Sequence, residues 1–204
     1  MEKDNFIRIS GIIGSTRLIS PKLLVCTLNT DQGKFEVKFF AQNTSALWPR
    51  IKTGYPILVT GRLTVSHFIR HNIDRTCLDI VAQKVKFNVL EDINEVFLHG
   101  TINEGLKSTY FNGNQDVIVQ TSLGIVDYRN ELHSFPLWGF NDTARKMLNF
   151  KPGDDVLVNG VLDKNVIENG EDEFLSYTYV LVTNINPAEI SVPRSEQWEG
   201  VGRL

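Results

Sequence analysis

At 204 residues, 42% hydrophobic and 22% charged, the chain has the make-up of ordinary globular material and room for one large or two ordinary domains. The opening MEKDNFIRIS lacks an apolar core of signal-peptide length and no run approaches ~18 apolar residues, so neither a leader nor a spanning helix is expected, and a cytoplasmic protein without membrane contact is. The net charge of −3 conceals a split, since residues 1–90 carry 13 Lys+Arg against 6 Asp+Glu and residues 91–190 carry 6 against 16. Halves so different in charge suit different partners, and the basic half is the one suited to a polyanion.

In chain order, Phe6–Ile13 alternates β-branched residues with Arg8 and Ser10 and reads as a first strand, followed by a loop at 14–21. Lys22–Asn29 is a second strand, TDQGK at 30–34 a hairpin turn, and Phe35–Phe40 a third strand. Asn43–Ile51 begins with helix-capping chemistry and is stopped by Pro49, giving a short helix. A fourth strand at Tyr55–Phe68, a polar loop at Arg70–Asp74 and a fifth strand at Arg75–Phe87 complete the set. Residues 90–94 are too few for a flexible linker, so the second half of the chain is expected to touch the first.

That second half repeats the pattern. Lys52–Leu63, KTGYPILVTGRL, returns as Lys151–Leu162, KPGDDVLVNGVL, with six of twelve positions identical. Each copy is a turn feeding an apolar strand in which a glycine, Gly61 or Gly160, allows a sharp bend or the close approach of another backbone. Around the second copy lie strands at Glu95–Ile102, Val117–Thr121, Phe135–Phe140, Val156–Leu162 and Phe174–Ile185, with a helix at Asn141–Phe150. The order strand, strand, strand, helix, strand, strand is that of the OB-fold, and it occurs twice. The expected fold is therefore all-β: two tandem five-stranded OB barrels, each with a short helix between strands 3 and 4. The domains are a basic one at 1–90, an acidic one at 91–190, and a tail without periodicity at 191–204.

No catalytic constellation is present: there is no phosphate loop of the GxxxxGK type, no GxSxG elbow and no HExxH, so an enzyme is not expected. Gly153-Asp154-Asp155 is a turn before an apolar strand rather than a metal-binding acid pair. His67, His71, Asp74 and Cys77 lie close in sequence, yet a hairpin does not bring histidines four apart onto one face as a helix does, so neither a metal nor another cofactor is expected. Cys26 and Cys77 lie on apolar strands without CxxC spacing and read as reduced core thiols.

A binding surface remains. Period-two alternation puts Phe35, Val37 and Phe39 inward on the third strand and Glu36, Lys38 and Phe40 outward, and on the fourth puts Leu63 and Val65 inward with Arg62, Thr64, Ser66 and Phe68 outward. Each polar face ends in a phenylalanine, the combination of ring, hydroxyl and cation that stacks bases and tracks phosphates. The competing reading is that Phe40 and Phe68 turn inward and cap the core.

The segment Phe39–Phe68, with its GYPILVTGRLTVSHF run, resembles bacterial and phage single-stranded DNA-binding proteins of the OB-fold family, and LWGFNDTARKM around Trp138-Gly139 is similar to that family's aromatic-glycine-helix segment. The resemblance covers roughly residues 5–187. It implies base-stacking aromatics at Phe40 and Phe68, Lys34 and Lys38 on the third strand's binding stretch, and Arg70, His71 and Arg75 on a clamping hairpin; with Arg62 these make eight candidate nucleic-acid contacts. It also implies single-stranded DNA as partner in replication or recombination and a homodimer with four barrels. RNA is admitted as well, because stacking does not see the 2′-hydroxyl. In the second copy the hairpin Asn165–Glu173 offers four acids and no aromatic, which suits assembly, a protein partner, or covering of the basic barrel in the absence of DNA. The ending EGVGRL lacks the acidic, phenylalanine-tipped peptide of the family. The alternative is an adaptor in which the acidic barrel binds a protein and contact with DNA is weak or absent.

Overall fold

The computed structural model describes residues 5–40, 48–70, 73–127, 129–169 and 173–188. Its strands are β1 (Asn5–Ser20), β2 (Leu23–Thr30), β3 (Gly33–Phe40), β4 (Pro56–Arg70), β5 (Ile73–Phe87), β6 (Asn94–Ile102), β7 (Lys107–Phe111), β8 (Asp116–Val126), β9 (Leu132–Phe140), β10 (Asp155–Asn169) and β11 (Glu173–Pro187), with a helix α1 (Asn141–Met147) after β9. No helix among the described residues is long and apolar enough to cross a membrane.

The pairings run β1–β2–β3–β5–β4 and return to β1, antiparallel throughout except for the parallel β3–β5 pair, which closes a five-stranded barrel. Strands β6, β8, β9, β11 and β10 repeat this order of pairing, again with one parallel pair, β9–β11. Inward alternation fills the barrel: Phe35, Val37 and Phe39 of β3 meet Ile57, Val59 and Leu63 of β4 and Ile80 of β5, all buried. The helix carries Asp142 in its first turn and Arg145 and Lys146 in its last, in the sense the helix dipole favours, and it buries Ala144 and Met147 against the sheet.

The repeated glycines are explained by backbone contact. In β4 the register slips between Thr60 and Gly61, and a Cβ on Gly61 would collide with the carbonyl oxygen of Val81; in β10 the slip falls between Asn159 and Gly160, and the collision would be with Leu181. A second matched device was not visible in the sequence. Asn5 donates from Nδ2 to the Leu63 carbonyl at 2.8 Å and accepts from the Leu63 amide at 2.9 Å, while Asn94 makes the same two bonds with Leu162 at the same distances.

The two circuits are joined by antiparallel pairing of β1 with β6, in which Asn5 faces Leu98 and Ile9 faces Asn94. The matching asparagines lie 89 positions apart, so Ile7 is the counterpart of Val96, and these two residues face each other at the centre of the ladder. A ladder that pairs a strand with its own counterpart has the geometry of a two-fold contact within one chain. The short connection is pinned as well: the Ser10 hydroxyl donates to the Glu91 carbonyl at 2.6 Å and accepts from the Ile93 amide at 2.8 Å.

Three expectations need correction. The loop at 14–21 is strand up to Ser20, pairing with β2 across a register slip at Gly14; both its faces are largely exposed, so no apolar alternation marked it. Strand β7 was missed for the same reason, since all five of its residues are exposed. Strands β8, β10 and β11 run past their apolar stretches, β8 by five residues. Residues 43–47 of the first expected helix and the tail from 191 onward lie outside the described residues, and the rest of that expected helix, 48–51, is turn and irregular chain.

Candidate nucleic-acid interface

Strands β3, β5 and β4 lie side by side, Lys38 facing Val81 in the parallel pair and Arg62 facing Val81 from the other edge. Their outer face therefore gathers Lys38, Arg62, Thr64 and Ser66. Phe39 is 3% exposed and packs in the core, whereas Phe40 is 57% exposed, as strict alternation at the end of β3 requires. The inward-capping alternative is thereby removed for Phe40. Arg62 is exposed too, and with Phe40 and Lys38 it lines a groove of about 620 Å³.

Lys38 does not face that groove as a bare charge. Its ammonium donates to Asp79 Oδ2 at 2.5 Å and to the Ser66 hydroxyl at 3.3 Å, and the same hydroxyl donates to Asp79 Oδ2. Asp79 is buried at its β5 position, and a carboxylate taken out of water requires such partners. The single charge of Lys38 thus holds the floor together, and Arg62 presents the more exposed cation to the groove. Lys34 is exposed at the opposite end of β3, beside a smaller hollow of about 490 Å³, where Lys164 of β10 donates to its carbonyl oxygen at 3.3 Å. Phe68, Arg70 and Arg75 fall on the β4–β5 hairpin, with Phe68 and Arg75 paired in the backbone; their side chains, and the whole of His71, lie outside the described residues. Three of the eight candidates, Lys38, Phe40 and Arg62, are therefore brought together, and Lys34 stands apart.

The groove's far wall comes from the second circuit. The connection between β8 and β9 lines it with Asp127, Arg129 and Glu131, and β9 adds His133. Asp127 Oδ1 accepts from the backbone amides of Arg129 and Glu131 at 2.8 and 3.0 Å, while Oδ2 faces His133 Nε2 at 3.3 Å. These bonds, the Glu131 amide first and the histidine after, hold the Asp127 carboxyl below its usual range. Sequence reasoning missed these residues because nothing in the chain announces which loop of one unit reaches the other. The acidic hairpin Asn165–Glu173, expected to serve assembly, a protein partner or covering of the basic barrel, has its side chains from 166 onward outside the described residues.

The second circuit has a ring-bearing face of its own. The register slips place Val182 where Ala82 stands in the first circuit, so Tyr179 matches Asp79. Where the first circuit sets Lys38 on Asp79, the second stacks Trp138 on Tyr179, ring centres 4.4 Å apart. The Tyr179 hydroxyl donates to Asp163 at 2.8 Å, and burial together with that carboxylate pushes its pKa up. Two residues along β11, Tyr177 is 46% exposed. The alternating YTYV at 177–180 carried that signal in the sequence.

Superposition on solved structures adds one finding. A deletion variant of the single-stranded DNA binding protein from Thermus aquaticus matches with a TM-score of 0.74 at 17% identity, over 94% of this chain and 98% of that one. The wild-type protein from the same organism matches with a TM-score of 0.71, also at 17% identity, over 90% and 92%. The likeness is one of fold. Both chains share the path of this one over most of their lengths, so the described residues have the fold of those two chains. No protein-family model and no curated protein matches the sequence.

Proposed function

We propose that the chain is a non-catalytic, sequence-tolerant single-stranded DNA-binding protein, that its two strand circuits are tandem OB barrels, and that the strand is bound along the groove over β3, β5 and β4. The observation that carries this reading is Phe40, a large ring held out to solvent that lines one groove with Lys38, Arg62, Thr64 and Ser66. A stacked base contributes ~1–3 kcal/mol whatever its identity, and an arginine beside it follows the backbone. The likeness to the Thermus proteins supports the same reading. Single-stranded DNA exists where duplexes are opened, so replication or recombination is the cellular setting, and a homodimer would present four barrels. Phe68, Arg70, His71 and Arg75 on the hairpin complete the proposed contacts.

The test is a fluorescence titration of the full chain with labelled oligo-dT at several salt concentrations. Affinity is expected to fall as salt rises, each neutralised phosphate adding about −0.7 to the slope of log K against log salt. No binding at low salt would refute the reading and favour an adaptor built on the acidic half.

A further inference from the structure

Asp127, Glu131 and His133 bring together three side chains of metal-ligating type to which base stacking and phosphate contact assign no role. Each offers one ligand atom, and the three atoms lie within 4.8 Å of one another. The tightest edge is that of an ion pair and also has the length that a shared ion would need. Two ligands ~2.0–2.1 Å from a tetrahedral ion stand about 3.3–3.4 Å apart, and Asp127 Oδ2 lies 3.3 Å from His133 Nε2. The other oxygen of that carboxylate accepts from two backbone amides of the hairpin connection, which leaves Oδ2 turned toward the imidazole. Glu131 is exposed, and rotation of its side chain closes the remaining edge.

We propose that Asp127 Oδ2, His133 Nε2 and the Glu131 carboxylate bind one zinc ion at the groove wall. One nitrogen and two carboxylate oxygens suit zinc better than calcium or magnesium, which prefer all-oxygen shells. Three protein ligands leave a fourth position open, as in zinc sites that also take water or substrate. The ion cancels the two negative charges of Asp127 and Glu131 on a wall that faces Phe40 and Arg62 across the groove. Its open position is then available to a phosphate oxygen. That second role rests on the nucleic-acid reading; the ion itself does not.

The experiment is calorimetric titration of the chelator-treated full chain with zinc chloride, followed by oligo-dT titration with and without zinc. One ion per chain is expected. Loss of outer partners alone weakens metal sites ~10–100-fold, so His133→Ala, which removes a direct ligand, is expected to weaken uptake at least tenfold. Asp127→Asn keeps an acceptor for the two amides, hence the hairpin, and is expected to weaken uptake as well; melting curves of both variants verify the fold. His67→Ala separates this site from the His67–Cys77 segment and is expected to bind zinc as the wild type does. No uptake by the wild type, or undiminished uptake by His133→Ala, overturns the site. Uptake that leaves oligo-dT affinity unchanged overturns the role at the groove, and it does so only if the chain binds oligo-dT without zinc.

Discussion

Phe39 and Phe40 are adjacent in sequence and opposite in fate, so the pair carries its own control. Truncating Phe40 to alanine removes a ring that is 57% exposed. Somewhat less than half of that ring's area is covered, and part of what is covered stays with the alanine, so the stability lost is about 1 kcal/mol at most. The same change at Phe39, 3% exposed in the barrel core, is expected to cost ~3–5 kcal/mol. Binding should order the two the other way. Loss of one stacked base, ~1–3 kcal/mol, weakens the folded Phe40→Ala protein about 5- to 150-fold for oligo-dT. The assay is fluorescence anisotropy at one salt concentration, beside urea melts of both variants. Wild-type affinity in a folded Phe40→Ala protein would refute the stacking argument, and so would a stability loss as large as that of Phe39→Ala.

Lys38→Met leaves Asp79 buried without its cation; with side chains 22% and 10% exposed the pair is not wholly dry, and a loss of ~2–3 kcal/mol in a urea melt is expected, near the lower end for broken buried pairs. Arg62→Gln should instead leave the melt unchanged and flatten the salt dependence of oligo-dT binding by about 0.7, the share of one phosphate. Gly61→Ala drives a methyl onto the Val81 carbonyl and is expected to destabilise by ~1–3 kcal/mol, with Gly160→Ala acting alike against Leu181; thermal melts at wild-type level for both would remove the close-approach explanation. Burial and the nearby Glu36 raise the Cys26 thiol from 9.0 to about 12. The folded state therefore holds its proton where the unfolded chain has lost it, so the thiol's contribution to stability is complete below about pH 9 and fades as pH rises toward 12. Urea midpoints followed upward from about pH 8 should fall less steeply in Cys26→Ala than in the wild type.

Much of the barrel could be read because its strands are buried on one side only. Phe35, Val37 and Phe39 alternate with Glu36, Lys38 and Phe40, and a period of two places the last ring outside without further information. The paired glycines were legible because a strand rich in Ile, Leu and Val includes a residue lacking a side chain only for a reason of backbone contact. Where both faces meet water the pattern fails, as it did over Ser15–Ser20 and Lys107–Phe111. At the site, alternation identified Lys38 as outward but not as the partner of Asp79, which lies 41 residues away and reaches it through a parallel pairing. Asp127, Glu131 and His133 gave no signal at all.

Residue order was enough for the half-buried strands, for the repeat and for the opposite sides taken by Phe39 and Phe40, because these come from local periodicity and backbone sterics. The groove itself needed the folded chain. Pairing of β1 with β6 decides which loop of the second circuit leans over the first, and the energy of that pairing lies in contacts about ninety residues apart, which no local pattern records. For the same reason the charge of the second half, read as a total, did not reveal that two of its carboxylates and a histidine stand at the wall of the first half's basic groove.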